Sequence, residues 1–246
     1  MIFLCFSSKD RHCIVEAILF HLMSFEIPVW YDRQKMLLGD DRNIKNFDEG
    51  VKKAEYTIIV LSPNAISSVC ANEEIDLIFD CYKSGSTLIF PLFYNISASD
   101  IPDKFAWMKK LVYKEINNHV DVYSACNHIV CKFLLDELKK YKFQTIDSFI
   151  SLNKSIPSMV YIVEMFSAYR SINGDNYDAK ISILFSIYLY IKTHYNMECV
   201  PLYYSAGMDH LFNETKLHLS IDLRETIIVE HLTLLLLNSV LFGYIT

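Results

Sequence analysis

The sequence predicts an α/β protein: a parallel sheet of about five strands covered by helices on both faces, followed by a mainly helical C-terminal domain. Three observations predict it. Residues 56–61 (YTIIVL) form an uncharged, β-branched run closed by Ser62-Pro63-Asn64, the pattern of a buried parallel strand and its turn. Short apolar runs alternate with helical patterns from residue 2 to about 142, the βαβα order of a doubly wound sheet with right-handed crossovers. After residue 142 the charge density falls, from 36 charged residues in 1–142 to 16 in 143–246.

Ile2 to Phe6 reads as the first strand, and Ser7-Ser8-Lys9-Asp10 turns into a helix running to about Phe25, with Ile14, Ile18, Leu22 and Phe25 on one face. Pro28 to Tyr31 is a second short strand, with Trp30 and Tyr31 read as strand core rather than as stackers. Arg33 to Asp41 is a polar loop bearing Gly39. Asn43 to Ala54 follows as a helix with Ile44, Phe47, Val51 and Ala54 inward. Beyond the 56–61 strand, Ser67 and Ser68 offer N-caps to a helix with a stripe at Ile75, Ile78, Phe79 and Tyr82. Glu73 and Glu74 fall in its first turns, off the stripe. A carboxylate there sits at the C-terminal edge of the sheet, where open α/β sheets bind ligands, and a helix N-terminus favours its charged form. Thr87 to Tyr94 is a further strand, placed near an edge by Pro91. Ile101 to Lys110 is a short helix and Leu111 to Lys114 the last strand. A long helix capped by Asp121 runs to about Tyr141, with Ile129, Val130, Phe133, Leu134 and Leu138 inward.

Residues 1–142 are thus one domain, 143–158 a junction with Pro157 suited to a first helical turn, and 159–246 a helical domain. Val160 to Ile172 and Tyr177 to His194 read as helices, the second apolar nearly all round. Pro201 to Gly207 reads as a break, and Ser220 to about Tyr244 as one or two Leu-rich helices. So few charges over so many apolar residues predict oligomerisation or partner docking by this domain.

Composition bounds the function. The chain has 246 residues, 52% hydrophobic and 21% charged, with a formal net charge of −6. That is globular, and it offers no clustered basic face for nucleic acid. Seven cysteines, an odd number without a CxxC pair, read as free thiols in a reducing cytoplasm. No His or Cys cluster has metal-ligand spacing. The N-terminus lacks the pattern of a signal peptide, and the uncharged run Leu232–Thr246 is shorter than the roughly 20 residues that span a bilayer, so a cytoplasmic protein without membrane contact is expected.

Four motifs then fall in one order. FLCFSSKD (Phe3–Asp10) is similar to an opening FISYSSKD strand. VWYDRQKMLLGDD (Val29–Asp41) is similar to a second strand with a glycine-bearing loop. FDEGVKKAEYTIIVLSP has a helix-then-strand rhythm, and Ser67-x-x-Cys70-x-x-Glu73 follows it. Together, over residues 1–142, they resemble TIR (Toll/interleukin receptor) domains, which have a flavodoxin-like five-stranded parallel sheet. Some members of that family are adaptors assembling through their loops. Others, many of them bacterial, cleave NAD+ at the nicotinamide–ribose bond, and some act in antiphage defence.

The resemblance implies NAD+ as substrate with no further cofactor and no metal, and Glu73 as the catalytic glutamate. The Cys70-x-x-Glu73 spacing sets that register, although Glu74 stands where the family usually has Leu. It further implies substrate contacts from Phe6, Ser7 and Ser8, from Asp32, Leu38 and Gly39, and from Val69 and Cys70. Val69 stands where the family often has a Trp that stacks on substrate, and Asp41 where Ser is usual. Ser7 and Ser8 fit either phosphate contacts or an ordinary helix cap. The chemistry asks for one carboxylate, because nicotinamide leaves as a neutral molecule from a cation and the ribosyl cation left behind needs a negative neighbour. Water then gives ADP-ribose, whereas a hydroxyl or adenine nitrogen of the same molecule gives a cyclic isomer that could act on a downstream effector protein. The alternative is a non-catalytic TIR adaptor or decoy acting through protein–protein interaction.

Overall fold

The computed structural model describes residues 1–142, 144–198, 200–216 and 223–242. Cys199 and the ends of the 220–244 helical segment lie outside the described residues. The chain divides into two compact units, Met1–Ile129 and Val130–Thr246.

Five strands build the first unit: β1 (Ile2–Cys5), β2 (Val29–Trp30), β3 (Tyr56–Leu61), β4 (Leu88–Tyr94) and β5 (Lys114–Ile116). All pairings are parallel, in the order β2-β1-β3-β4-β5. β1 and β3 are wholly buried, as their unbroken apolar runs require of central strands covered on both faces. The chain leaves β1 to one side, for β2, and returns to the other, for β3. That reversal opens a crevice at the C-terminal ends of β1 and β3, the place where doubly wound sheets bind ligands.

Helix α1 (Glu16–Ser24) is entered through a wide π turn at Arg11–Val15. A single helical turn, α2 (Asp32–Lys35), stands where the sequence reads as loop. The segment expected as a regular helix over 43–54 is a π-helical stretch, Asn43–Gly50, closed by a tight turn at Val51–Lys53. Hydrogen bonds to the fifth residue widen each turn and advance the inward face. Asn46, Gly50, Val51 and Ala54 are buried, while Ile44, expected inward, is exposed. After β3 a short helix, α3 (Pro63–Ser67), precedes α4 (Val69–Lys83). Ser62 caps the first and Ser68 the second, accepting from Ala65 N–H and Ala71 N–H at 2.9 and 3.3 Å. Ile75 and Ile78 of the expected stripe are buried. β4 is not at an edge. β5 pairs only with Leu92–Tyr94, so Pro91 lies just before that shared segment and interrupts no pairing with β5. The last strand falls at Lys114–Ile116, past the expected 111–114. Helix α5 (His119–Leu138), with its five expected inward residues buried, contains the division between the units.

The second unit continues with α6 (Ile146–Asn153), α7 (Val160–Ser171), α8 (Tyr177–His194), α9 (Leu202–Lys216) and α10 (Leu223–Phe242). Residues 202–207, expected as a break, are the first turns of α9, with Pro201 just ahead of a helix it cannot interrupt there. α8 packs on α7 and α10, α6 on α7, and α9 on α10. Ile181, Leu184, Phe185, Ile187, Tyr188 and Ile191 of α8 are buried, one broad stripe rather than apolar residues all round. No helix among the described residues is long and apolar enough to cross a membrane.

Candidate functional site

The crevice holds a cleft of ≈ 250 Å³. Three elements frame it: the end of β1 with Phe6 and Ser8, the β2 edge with Trp30 and Asp32, and the start of α4 with Ser68, Cys70 and Glu74. Leu4, Arg11, Met36, Arg42 and Asn46 complete the wall.

One side is fixed by a buried cation. Arg11 donates to both carboxylate oxygens of Asp32 at 2.7 and 2.6 Å and to the Tyr31 hydroxyl at 2.8 Å. Its guanidinium lies over the rings of Phe6 and Tyr31, at 4.9 and 5.3 Å from their centroids. The bonds to Asp32 raise the Arg11 pKa further, so the pair stays ionised. Behind it, Asp10 accepts from Ser62 Oγ and from Asn64 Nδ2, tying the end of β1 to the end of β3.

The opposite side carries two adjacent carboxylates in different surroundings. The Glu73 side chain is 50% exposed and accepts from Arg42 Nη1 at 2.8 Å. Glu74 is 13% exposed and lines the cleft. Its Oε1 accepts from Asn46 Nδ2 at 2.5 Å, with Arg42 Nη2 at 3.9 Å. Burial lifts the Glu74 carboxyl to about 7, against the opposing pull of Asn46, the Cys5 thiol and Arg42, while the Asp32 charge adds to the rise. The Cys5 thiol beneath is in turn pushed well up by burial and by Glu74, which keeps it a neutral donor. Arg42 also reaches the Cys70 carbonyl at 3.3 Å and stacks over Phe47, holding the loop after Gly39 to the start of α4.

Of the residues expected from sequence, the cleft gathers Phe6, Ser8, Asp32 and Cys70. Ser7 is buried at the cap of the turn after β1, and Val69, Leu38 and Gly39 are exposed outside the lining, Gly39 at a φ of +100° that favours glycine. Glu73, the expected catalytic glutamate, is outside the lining as well; the carboxylate inside it is the next residue. A signal for this was in the spacing. Glu74 stands three residues after buried Ala71 and four before buried Ile78, on the flank of the stripe rather than off it. Trp30 is both core and cleft wall. Arg11 and Asn46 carried no sequence signal beyond polar residues within helical patterns, and Arg42 fell between the loop ending at Asp41 and the helix expected from Asn43. Among the described residues, no three His, Cys, Asp or Glu side chains gather into a set that could hold a metal ion.

A parallel five-stranded sheet of order β2-β1-β3-β4-β5, with a carboxylate in the crevice at its switch point, defines a doubly wound α/β domain. The chain belongs to the TIR domain family, whose model matches residues 2–128. Among curated proteins it is similar to the NAD(+) hydrolase TcpC of Escherichia coli O6:H1, 29% identical over 100 residues, 40% of this chain and 32% of that one. It is also similar to the 2' cyclic ADP-D-ribose synthase AbTIR of Acinetobacter baumannii, 28% identical over 102 residues, 42% of this chain and 38% of that one. The NAD(+) hydrolase PdTIR of Paracoccus denitrificans is 26% identical over 121 residues, 49% of this chain and 40% of that one. The chain therefore spans about a third to two-fifths of these relatives' length. Among solved structures it is similar to the TIR domain of the Toll-related receptor TRR-2 from Hydra magnipapillata, with TM-score 0.39 and 17% identity over 46% of this chain and 82% of that one.

Proposed function

We propose that this chain cleaves NAD+ at the nicotinamide–ribose bond, with Glu74 as the carboxylate that stabilises the ribosyl cation. The observation that carries the reading is Glu74 itself: a nearly buried glutamate, facing the cleft at the switch point, between a hydrogen-bond donor and a cation. The relatives named as NAD(+) hydrolases and cyclic ADP-ribose synthases support it.

In this reading the C–N bond to nicotinamide breaks with its electron pair moving to the ring nitrogen, which relieves the pyridinium charge. No proton is needed by that leaving group. The ribose carbon becomes cationic, and a charged carboxylate placed in a partly apolar cleft stabilises it more than the same group in water would. Phe6 and Trp30 supply apolar wall for the nicotinamide ring, and the Arg11–Asp32 pair fixes that wall. Water capture gives ADP-ribose. Capture by a hydroxyl or adenine nitrogen of the same molecule gives a cyclic isomer and is favoured where water is excluded. Only the ionised form of Glu74 serves, so cleavage rises with pH through about 7.

A second reading, an interaction module without catalysis, is favoured by Leu37 and Leu38, both exposed on the loop after α2. Incubating the pure chain with NAD+ and separating the products by chromatography decides between them. The enzyme reading expects free nicotinamide with ADP-ribose or a cyclic isomer; no nicotinamide at any pH between 6 and 9 leaves the interaction reading. We further propose assembly or docking by the helical unit, supported by exposed Leu152, Val160 and Tyr161.

A further inference from the structure

We propose that Asn46 is a positioning residue, its side-chain amide holding the Glu74 carboxylate toward the cleft in the charged form. The inference rests on the reading of Glu74 given above and deepens it. Three observations carry it.

The first is the contact: Asn46 Nδ2 donates to Glu74 Oε1 across 28 positions of sequence, and Asn46 is buried. A buried amide with no structural role would be replaced by an apolar residue at little cost, whereas here it faces the cleft carboxylate. The second is the backbone that delivers it. Asn46 lies in the π-helical stretch Asn43–Gly50, whose widened turns turn Ile44 outward and bring the amide inward. The third is the seat of that stretch. A Cβ on Gly50 would come within 2.8 Å of the Phe3 ring and 3.1 Å of Trp30, so the absence of a side chain lets the segment lie hard against β1 and β2. This fixes its depth beside the cleft.

The groups facing Glu74 come from every neighbouring element. The Cys5 thiol of β1 lies close enough to favour the charged form, though it donates to the Ala71 carbonyl, Arg42 brings a positive charge from the loop, and Asp32 after β2 opposes ionisation. Glu73, on the same helix, is turned outward and paired with Arg42. Cys5 is a weak donor and Arg42 is shared with Glu73, so Asn46 is the strong donor dedicated to the carboxylate. Without it, only the Cys5 thiol and the shared Arg42 oppose burial, and the carboxyl holds its proton to higher pH.

The test titrates Glu74 directly, by carbon-13 NMR of glutamate side-chain carboxyls in the full chain, with the Glu74 signal assigned by its loss in Glu74→Gln. Asn46→Leu, which keeps the size and removes the donor, is expected to move the Glu74 midpoint up by about one pH unit. Nicotinamide release should then fall about fivefold at pH 7 and about tenfold at pH 6, with the loss fading above pH 9. A purely structural role would lower the rate equally at every pH. If Asn46→Leu does not fold, Asn46→Asp, which keeps the shape and adds a charge, must raise the same midpoint further. An unchanged Glu74 midpoint in the folded variant overturns the proposal. The two readings fail separately: a shifted midpoint in a chain that never releases nicotinamide would keep Asn46 as the group that holds Glu74 and reject NAD+ cleavage.

Discussion

The two units bury polar groups in opposite ways. In the sheet unit, hydrogen bonds of buried side chains join elements far apart in sequence: Ser62 and Asn64 to Asp10, Arg11 to Asp32, Asn46 to Glu74. In the helical unit, Asn153, Thr233 and Ser239 donate to the carbonyl four residues back on their own helices. Its cross-helix bonds include those of tyrosine tips, Tyr169 to Glu230 and Tyr188 to Asp209, and the exposed ion pairs Arg170 to Asp147 and Lys192 to Asp209. Polar groups bonded within one helix cost little and orient nothing. Those bonded across elements fix charges at one edge of the sheet, against a desolvation cost that a purely structural core would avoid. Chemistry is therefore sought in the first unit, and packing or assembly in the second.

The comparison can be broken at several points, from large effects to small. Leu236→Ala deletes a fully buried side chain of α10 and should cost ~4 kcal/mol in denaturant unfolding while leaving the Glu74 midpoint in place. A shift in that midpoint would mean that the helical core also sets the cleft. Next comes pH. The folded Glu74 carboxyl titrates near 7 against an ordinary 4.5, so the folded state binds this proton more tightly than the unfolded chain. Stability should fall by roughly 3 kcal/mol as pH rises from 4.5 to 7, and Glu74→Gln should lack that component. Unfolding of both proteins at pH 5 and 8 measures the difference. Arg11→Ala strands Asp32, which is a third exposed and partly rehydrated, so ~2–3 kcal/mol is expected in the same assay. Lys104→Ala, which removes an exposed pair with Asp76, should cost no more than ~0.5 kcal/mol.

Much of this architecture was legible in the sequence because it rests on period and punctuation. The run Tyr56–Leu61 could only be a covered strand, and Tyr177–His194 begins and ends where its pattern does. Pro91 placed its strand near an edge, and β4 lies next to the edge strand β5, which is short enough to leave the position free. Asn43–Gly50 misled because a π turn changes the period on which inward residues are counted, so Ile44 and Asn46 exchanged faces. The site was legible as a place, the C-terminal edge beside α4, since topology alone dictates it. The proposed reading departs from the sequence expectation at one residue. Glu73 and Glu74 differ by a 100° rotation about α4, and motif spacing favoured the one that faces water. Arg11 and Asn46 bond to partners 21 and 28 positions away, which no local pattern encodes.

The most direct test of the central claim sets those neighbours against each other. Initial rates of nicotinamide release from NAD+ should be measured at pH 8 for the wild-type chain, Glu73→Gln and Glu74→Gln, each confirmed folded. Removing one charge that stabilises the ribosyl cation is worth ~3–4 kcal/mol, so Glu74→Gln should fall by a few hundredfold, and Glu73→Gln should stay within several-fold of wild type. A severe loss in Glu73→Gln with near wild-type rates in Glu74→Gln would contradict the assignment of the cleft carboxylate.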